Sequence, residues 1–107
     1  MAEVWNVNWL EWYRIVAYRD FNDVPRYVLV ANEAQDAFFV LDAGFDADSP
    51  IYTIHDAGSA RDDATAAFER HAAGSIELPA TGCIPVEHVA FDETGRAALK
   101  LTSPPIV

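Results

Sequence analysis

Apolar residues come in short runs along the chain, and the length of these runs is typical of β-strands. The segments "RYVLVA" (26–31), "AFFVLD" (37–42) and "IYTIHD" (51–56) are each bounded by polar or turn-forming residues. The polar "NEAQD" between the first two predicts a hairpin loop. We therefore expect three consecutive strands of an antiparallel meander.

The aromatic segment "WLEWYRIVAYRDF" (9–21) fits two kinds of element. Trp5, Trp9, Trp12 and Val16 align at helical spacing, whereas aromatic and β-branched residues favour a strand from about Trp12 onward. We predict the strand, followed by a turn at "NDVP".

One segment has the pattern of an amphipathic helix. In "GSARDDATAAFERHAAG" (58–74), Ser59 is the predicted N-cap and Gly74 the predicted stop. The apolar face between them consists mostly of alanine, with Phe68 as its largest member and His71 on the same face. Such a narrow face predicts a helix that lies close against a sheet.

The C-terminal third predicts two further strands. "LPATGCIP" (78–85) has the composition of an irregular segment, and the residues on either side of "DETG" (86–91 and 96–102) predict a hairpin. The fold expected from the whole pattern is α+β: an antiparallel, strongly bent sheet or small barrel of about six strands with one helix packed on it. No linker divides the chain, so residues 1–107 are expected to form a single domain.

The charge balance narrows the possible partners. Seventeen Asp and Glu face seven Lys and Arg, for a net charge of −10, which disfavours binding to nucleic acid or to an anionic membrane surface. The longest apolar runs fall far short of the ~20 residues that a membrane span requires. Cys83 is the only cysteine and the N-terminus does not resemble a signal peptide, so we expect a cytoplasmic protein.

The segment "LDAGFDADSP" (41–50) concentrates acidic residues at Asp42, Asp46 and Asp48. It does not fit an EF-hand calcium loop, because Gly44 takes the third position from Asp42 and Thr53 the twelfth. One interpretation is a solvated connection between two strands. The other is an acidic face, including Asp56, that binds a basic partner, since residues 27–60 contain six acids and no Lys or Arg.

The remaining candidates for chemistry give no diagnostic pattern. The three histidines lack metal-ligand spacing, and no helix N-terminus or adjacent base activates Cys83. His55 and Asp56 are neighbours in a strand and point to opposite sides. We therefore expect no catalytic residue, no metal and no cofactor, while Trp5 and Trp9 are candidates for core, pocket or interface.

Two functions follow from this pattern. The first is a non-enzymatic interaction module, similar to an immunity protein, an inhibitor or an accessory subunit. It would bind a basic protein or itself, with a homodimer as the expected assembly, through Asp42, Asp46, Asp48, Asp56, Trp5 and Trp9. The alternative is a small-molecule binder or small enzyme with an aromatic pocket in the bent sheet. Its acid and base would come from Asp20, Asp23, Glu87 and His88.

Overall fold

The computed structural model describes residues 11–21, 25–94 and 97–106. In these parts of the chain there are seven strands, one α-helix and one 3₁₀ turn. They are β1 (Tyr13–Phe21), β2 (Pro25–Ala31), β3 (Phe38–Asp46), β4 (Ser49–Gly58), α1 (Arg61–Ala72), β5 (Ala80–Pro85), the 3₁₀ turn Val86–His88, β6 (Val89–Phe91) and β7 (Ala98–Leu101). Trp5, Trp9 and most of the predicted "NDVP" turn lie outside the described residues. None of the described helices has the length and apolar character needed to cross a membrane.

All seven strands form one sheet in the order β5-β4-β3-β2-β1-β7-β6, and every neighbouring pair is antiparallel. The sheet curls strongly into a half-barrel, and α1 packs on one of its faces. This confirms the predicted α+β fold with a bent antiparallel sheet and one helix, with seven strands rather than about six. The meander of β2, β3 and β4 is also confirmed.

The two faces of the sheet carry separate hydrophobic clusters. Along β3, Phe39 and Leu41 point to the concave face, where residues of all seven strands meet, whereas Phe38 and Val40 point to the helix. On the helix side, Phe68 and Ala64 of α1 are completely buried. The alanines let the helix approach the sheet closely, and burying one Phe side chain contributes roughly 1.5–3 kcal/mol.

The acidic segment 41–50 forms an exposed hairpin tip that connects two strands, and these strands extend beyond the predicted runs 37–42 and 51–56. The ladder between β3 and β4 continues to the pair Asp46 and Ser49, and only Ala47 and Asp48 lie between the two strands. Ala47 takes the positive φ of +56° that this tight turn requires. Asp and Gly are weak strand formers, but pairing with a neighbouring strand overrides that preference.

Three other boundaries differ from the predictions. Ala60, not Ser59, is the N-cap of α1 and makes no side-chain capping bond, whereas Gly74 adopts the predicted positive φ after the helix. Residues 80–85, predicted to be irregular, form edge strand β5 because their backbone pairs with β4. The predicted strand at 86–91 is shorter, since Val86–His88 forms the 3₁₀ turn.

Candidate functional site

The acidic residues of the β3–β4 hairpin lie in different surroundings. Asp42 is partly buried beneath α1, whereas Asp46 and Asp48 are exposed at the tip. Asp56 is exposed near the opposite end of β4, where its carboxylate accepts a hydrogen bond from the Gly58 N–H. The structure therefore brings Asp46 and Asp48 together but places Asp42 and Asp56 apart from them. Trp5 and Trp9 fall outside the described residues.

The first region of interest is the acidic tip, which we define as Phe45, Asp46, Asp48, Glu87 and Ile106. Phe45 is 74% exposed and Ile106 is 61% exposed, both large values for apolar side chains. The acids of the tip border an open depression of about 350 Å³ whose other lining residues are Ser49, Pro50, Ile51, Cys83, Pro85 and Ile106. The depression therefore combines apolar walls with acidic rims, and none of the Lys and Arg residues that the structure describes lines it.

The second region is a cluster of Asp42, His55 and His71, which we call the Asp–His–His cluster. The register pairs Asp42 with Thr53 and Val40 with His55, so Asp42 and His55 point to the helix side of the sheet. His71 descends onto them from the last turn of α1, on the face that also buries Phe68. One ligand-capable atom from each residue lies within 4.8 Å of the other two.

Hydrogen bonds define which nitrogen of each neutral imidazole carries the hydrogen. The Leu78 carbonyl can only accept, so His55 Nδ1, 2.9 Å away, carries a hydrogen and donates to it. The Leu78 N–H donates to His71 Nδ1 over 3.3 Å, which places the hydrogen of neutral His71 on Nε2. That Nε2 lies 3.1 Å from Asp42 Oδ2 and donates to it. A single residue after the helix thus orients both imidazoles.

These hydrogen bonds leave one atom without a partner. With Nδ1 of neutral His55 protonated, Nε2 carries a lone pair, and within the described structure this buried atom has no hydrogen-bond partner. His55 is only 4% exposed. Its ring centroid lies 4.5 Å from that of His71, at an interplanar angle of 54°. The residue that carries this buried lone pair therefore belongs to a cluster that also contains a carboxylate.

The Asp–His–His cluster is open to solvent on one side. An open depression of about 470 Å³ is bordered by the three side chains and by the segment from Gly74 to Glu77. This segment follows the helix and is exposed. The Asp–His–His cluster therefore borders solvent-accessible space.

The other predicted acid and base residues do not form a comparable arrangement. Glu87 and His88 are neighbours, 3.8 Å apart between Oε2 and Nε2, and His88 Nδ1 contacts Ser103 Oγ at 2.8 Å. Asp20 is exposed near the end of β1, and Asp23 lies outside the described residues. On the concave face, the space left between apolar side chains is about 20 Å³, which is close to the volume needed for one water.

The sequence contained a usable signal for the Asp–His–His cluster, but not in histidine spacing. His71 lies on the buried face of the predicted helix, and His55 lies in a predicted strand. The missing information was the register: only a turn at Ala47 and Asp48 places Val40 opposite His55 and Asp42 opposite Thr53.

Comparison with known proteins assigns no family: no family model matches the chain, and neither curated proteins nor solved structures give a match. The acidic tip and the Asp–His–His cluster are therefore the features from which a function can be inferred.

Proposed function

We propose that the protein is a small acidic interaction module that binds a basic protein partner through the acidic tip. The observation that carries this proposal is Phe45, an aromatic side chain that is 74% exposed beside the acidic turn. Aromatic residues often contribute most of the binding energy of a protein interface. Here the aromatic residue is surrounded by charged side chains. Such a surface would suit an inhibitor, an immunity protein or an accessory subunit.

The charge of the tip supports a basic partner. In the described part of the chain, no Lys or Arg forms an ion pair with Asp46 or Asp48. The whole chain carries a net charge of −10, so its field adds to that of the tip. A partner with Lys or Arg around an apolar pocket would gain in association rate and in specificity.

The backbone of the tip supports a preformed binding surface. Nine residue pairs connect β3 with β4, and the last of them is Asp46 with Ser49. Because the ladder extends to the turn, little backbone freedom remains to be lost when a partner binds. Preorganisation of this kind increases affinity without additional contacts.

Self-association is part of the same proposal but requires a different surface. Two acidic tips repel each other, so a homodimer would not form tip to tip. Trp12 is 46% exposed and lies just before β1. At the start of β1, Arg14 pairs with Ala31, which in turn pairs with Phe38 at the start of β3. This end of the sheet is opposite the acidic tip. A homodimer through the Trp12 end would leave the acidic tip free for the basic partner.

The test compares matched variants as bait for partners from the cell of origin. The untagged wild type, Phe45→Ser, Asp46→Asn/Asp48→Asn and the control Asp62→Asn/Asp63→Asn are coupled through their amino groups. The control removes the same two charges from exposed positions in the first turn of α1. We expect a basic protein that the wild type and the control retain, that both tip variants lose, and that salt releases.

A second measurement separates the partner from the assembly. Native mass spectrometry of the wild type gives its oligomeric state, and the affinity of each variant for the purified partner is measured by calorimetry. We expect the tip variants to weaken binding at least tenfold with an unchanged oligomeric state. Equal affinity of the wild type and both tip variants would overturn the assignment of the binding surface to the acidic tip.

A further inference from the structure

We propose that Asp42, His55 and His71 form a binding site for a divalent first-row transition metal ion of the Zn²⁺ class. This site is separate from the acidic tip. The proposal starts from the unpartnered Nε2 of His55 and from the ligand-capable atoms within 4.8 Å of one another.

The first observation in favour of a metal site is the unpartnered Nε2 atom of His55. A buried nitrogen lone pair without a hydrogen bond is unfavourable, and such groups are rare in folded proteins. The hydrogen bond from Nδ1 to the Leu78 carbonyl fixes the ring so that this lone pair points away from Leu78. A metal-bound histidine typically has this arrangement, in which one ring nitrogen donates to a backbone carbonyl and the other binds the ion. The ion would satisfy the atom that the protein leaves without a partner.

The donor set is the second argument. Two imidazoles and one carboxylate suit Zn²⁺ and neighbouring first-row ions, whereas Ca²⁺ and Mg²⁺ prefer oxygen ligands alone. Bonds of about 2.0–2.1 Å place the ligand atoms of a tetrahedral ion roughly 3.3 Å apart. His71 Nε2 and Asp42 Oδ2 are already 3.1 Å apart, and one ligand-capable atom from each of the three residues lies within 4.8 Å of the other two. Side-chain rotations would bring the three ligand atoms to bonding distance of one ion.

His71 changes its hydrogen-bonding role when the ion binds. Its hydrogen, which now points from Nε2 to Asp42, moves to Nδ1 by exchange with solvent with no net release of a proton, and Nε2 becomes the third ligand. The ring then carries its hydrogen on Nδ1, so the weak 3.3 Å contact from the Leu78 N–H is lost. Leu78 follows the exposed segment from Gly74 to Glu77. The fourth position of the ion faces the depression bordered by that segment.

The test is Zn²⁺ binding to the untagged protein after removal of metals with a chelator. Calorimetry with ZnCl₂ is performed on the wild type, Asp42→Asn, His55→Gln and the control His88→Gln. His88 is a partly exposed histidine outside the cluster, so its variant reports nonspecific binding to a histidine. We expect one ion per wild-type chain, at least a tenfold loss of affinity in Asp42→Asn and His55→Gln, and no loss in His88→Gln. Excess MgCl₂ should not compete.

The choice of variants keeps the outcome independent of folding. Asparagine at position 42 retains a carbonyl that accepts the hydrogen of His71 Nε2, so Asp42→Asn should keep the wild-type circular dichroism spectrum. If His55→Gln does not fold, Asp42→Asn carries the test. The melting temperature of the wild type should rise with Zn²⁺ and that of Asp42→Asn should rise less. Absence of saturable binding, or equal affinity of the wild type and Asp42→Asn, would overturn the proposal.

Discussion

Asp42 and Asp46 are on the same face of the same strand, four residues apart, but they have different chemical surroundings. At about 3.3 Å per residue, the two lie roughly 13 Å from each other. Asp42 is covered by the end of α1 and accepts a hydrogen bond from His71, whereas Asp46 lies beyond the helix and is exposed. The strand and the residue type are the same for both acids, so the difference comes from the helix. The acid that α1 covers belongs to a buried cluster, whereas the acid beyond it is available to a partner.

The same comparison applies to the two phenylalanines of these regions. Phe68 anchors the helix on the sheet and is completely buried, whereas Phe45 at the tip is almost free of contacts with the core. A buried aromatic ring stabilises the fold, whereas an exposed ring is available to contact a partner.

The largest difference is expected between Phe68→Ala and Phe45→Ala. Removing a completely buried Phe costs about 3–5 kcal/mol, and here it also loosens the helix that carries His71. A substitution at an exposed position costs about 0.5 kcal/mol or less. Urea denaturation of both variants gives these free energies of unfolding. Similar losses in the two variants would show that the tip contributes to the core.

A smaller difference is expected between Asp42→Ala and Asp46→Ala. The first leaves the Nε2–H of the buried His71 without its acceptor, which costs about 1–3 kcal/mol. The second removes no hydrogen bond among the described residues and costs about 0.5 kcal/mol or less. For a domain of this size, each kcal/mol lowers the melting temperature by roughly 4–8 °C.

Asp42→Asn is the control for this pair. It removes the charge but keeps an acceptor for the His71 hydrogen, so most of the stability should return. If Asp42→Ala melts at the same temperature as Asp46→Ala in metal-free buffer, the contact between Asp42 and His71 does not stabilise the fold.

The sequence predicted the fold better than the site because the two depend on different information. Run length and residue type were enough for the meander and for α1, since strand length and an alanine-rich face are local properties. The hairpin tip was missed because Asp, Gly and Pro are the residues of turns, and Gly44 and Asp46 are nevertheless paired in a strand. Strand β5 was missed for the same reason, since its pairing with β4 is not visible in "ATGCIP".

The Asp–His–His cluster depends on register and on helix placement, and neither follows from spacing along the chain. Ala47 and Asp48 are not a typical pair for a two-residue hairpin, so the position of the turn had no clear sequence signal. A shift of one residue would have moved His55 to the concave face, away from His71. Residues 55 and 71 therefore meet through two long-range arrangements that composition does not encode.

The smallest effect concerns Asp92, a carboxylate outside both regions that shows why exposure alone does not decide the role of an acid. Partial burial raises the pKa of Asp92, but hydrogen bonds from the Thr94 side chain and from the backbone N–H groups of Ala97, Ala98 and Thr94 outweigh this effect and lower it to about 2. These hydrogen bonds stabilise the connection between β6 and β7. Asp92 therefore has a structural role although no helix covers it.

A lowered pKa gives the sign of the pH dependence. The ionised form is favoured in the folded state, so the stabilisation from Asp92 is complete above the ordinary value of 3.8 and disappears as the pH falls through about 2. Because other acids titrate in the same range, the informative quantity is the difference in unfolding free energy between the wild type and Asp92→Asn. This difference should shrink from pH 4 towards about pH 2, and carboxyl ¹³C shifts should show the midpoint of Asp92 directly. A difference that stays constant over this range would mean that the turn holds without the charge, and that hydrogen-bond donors are not what separates Asp92 from the acids of the tip.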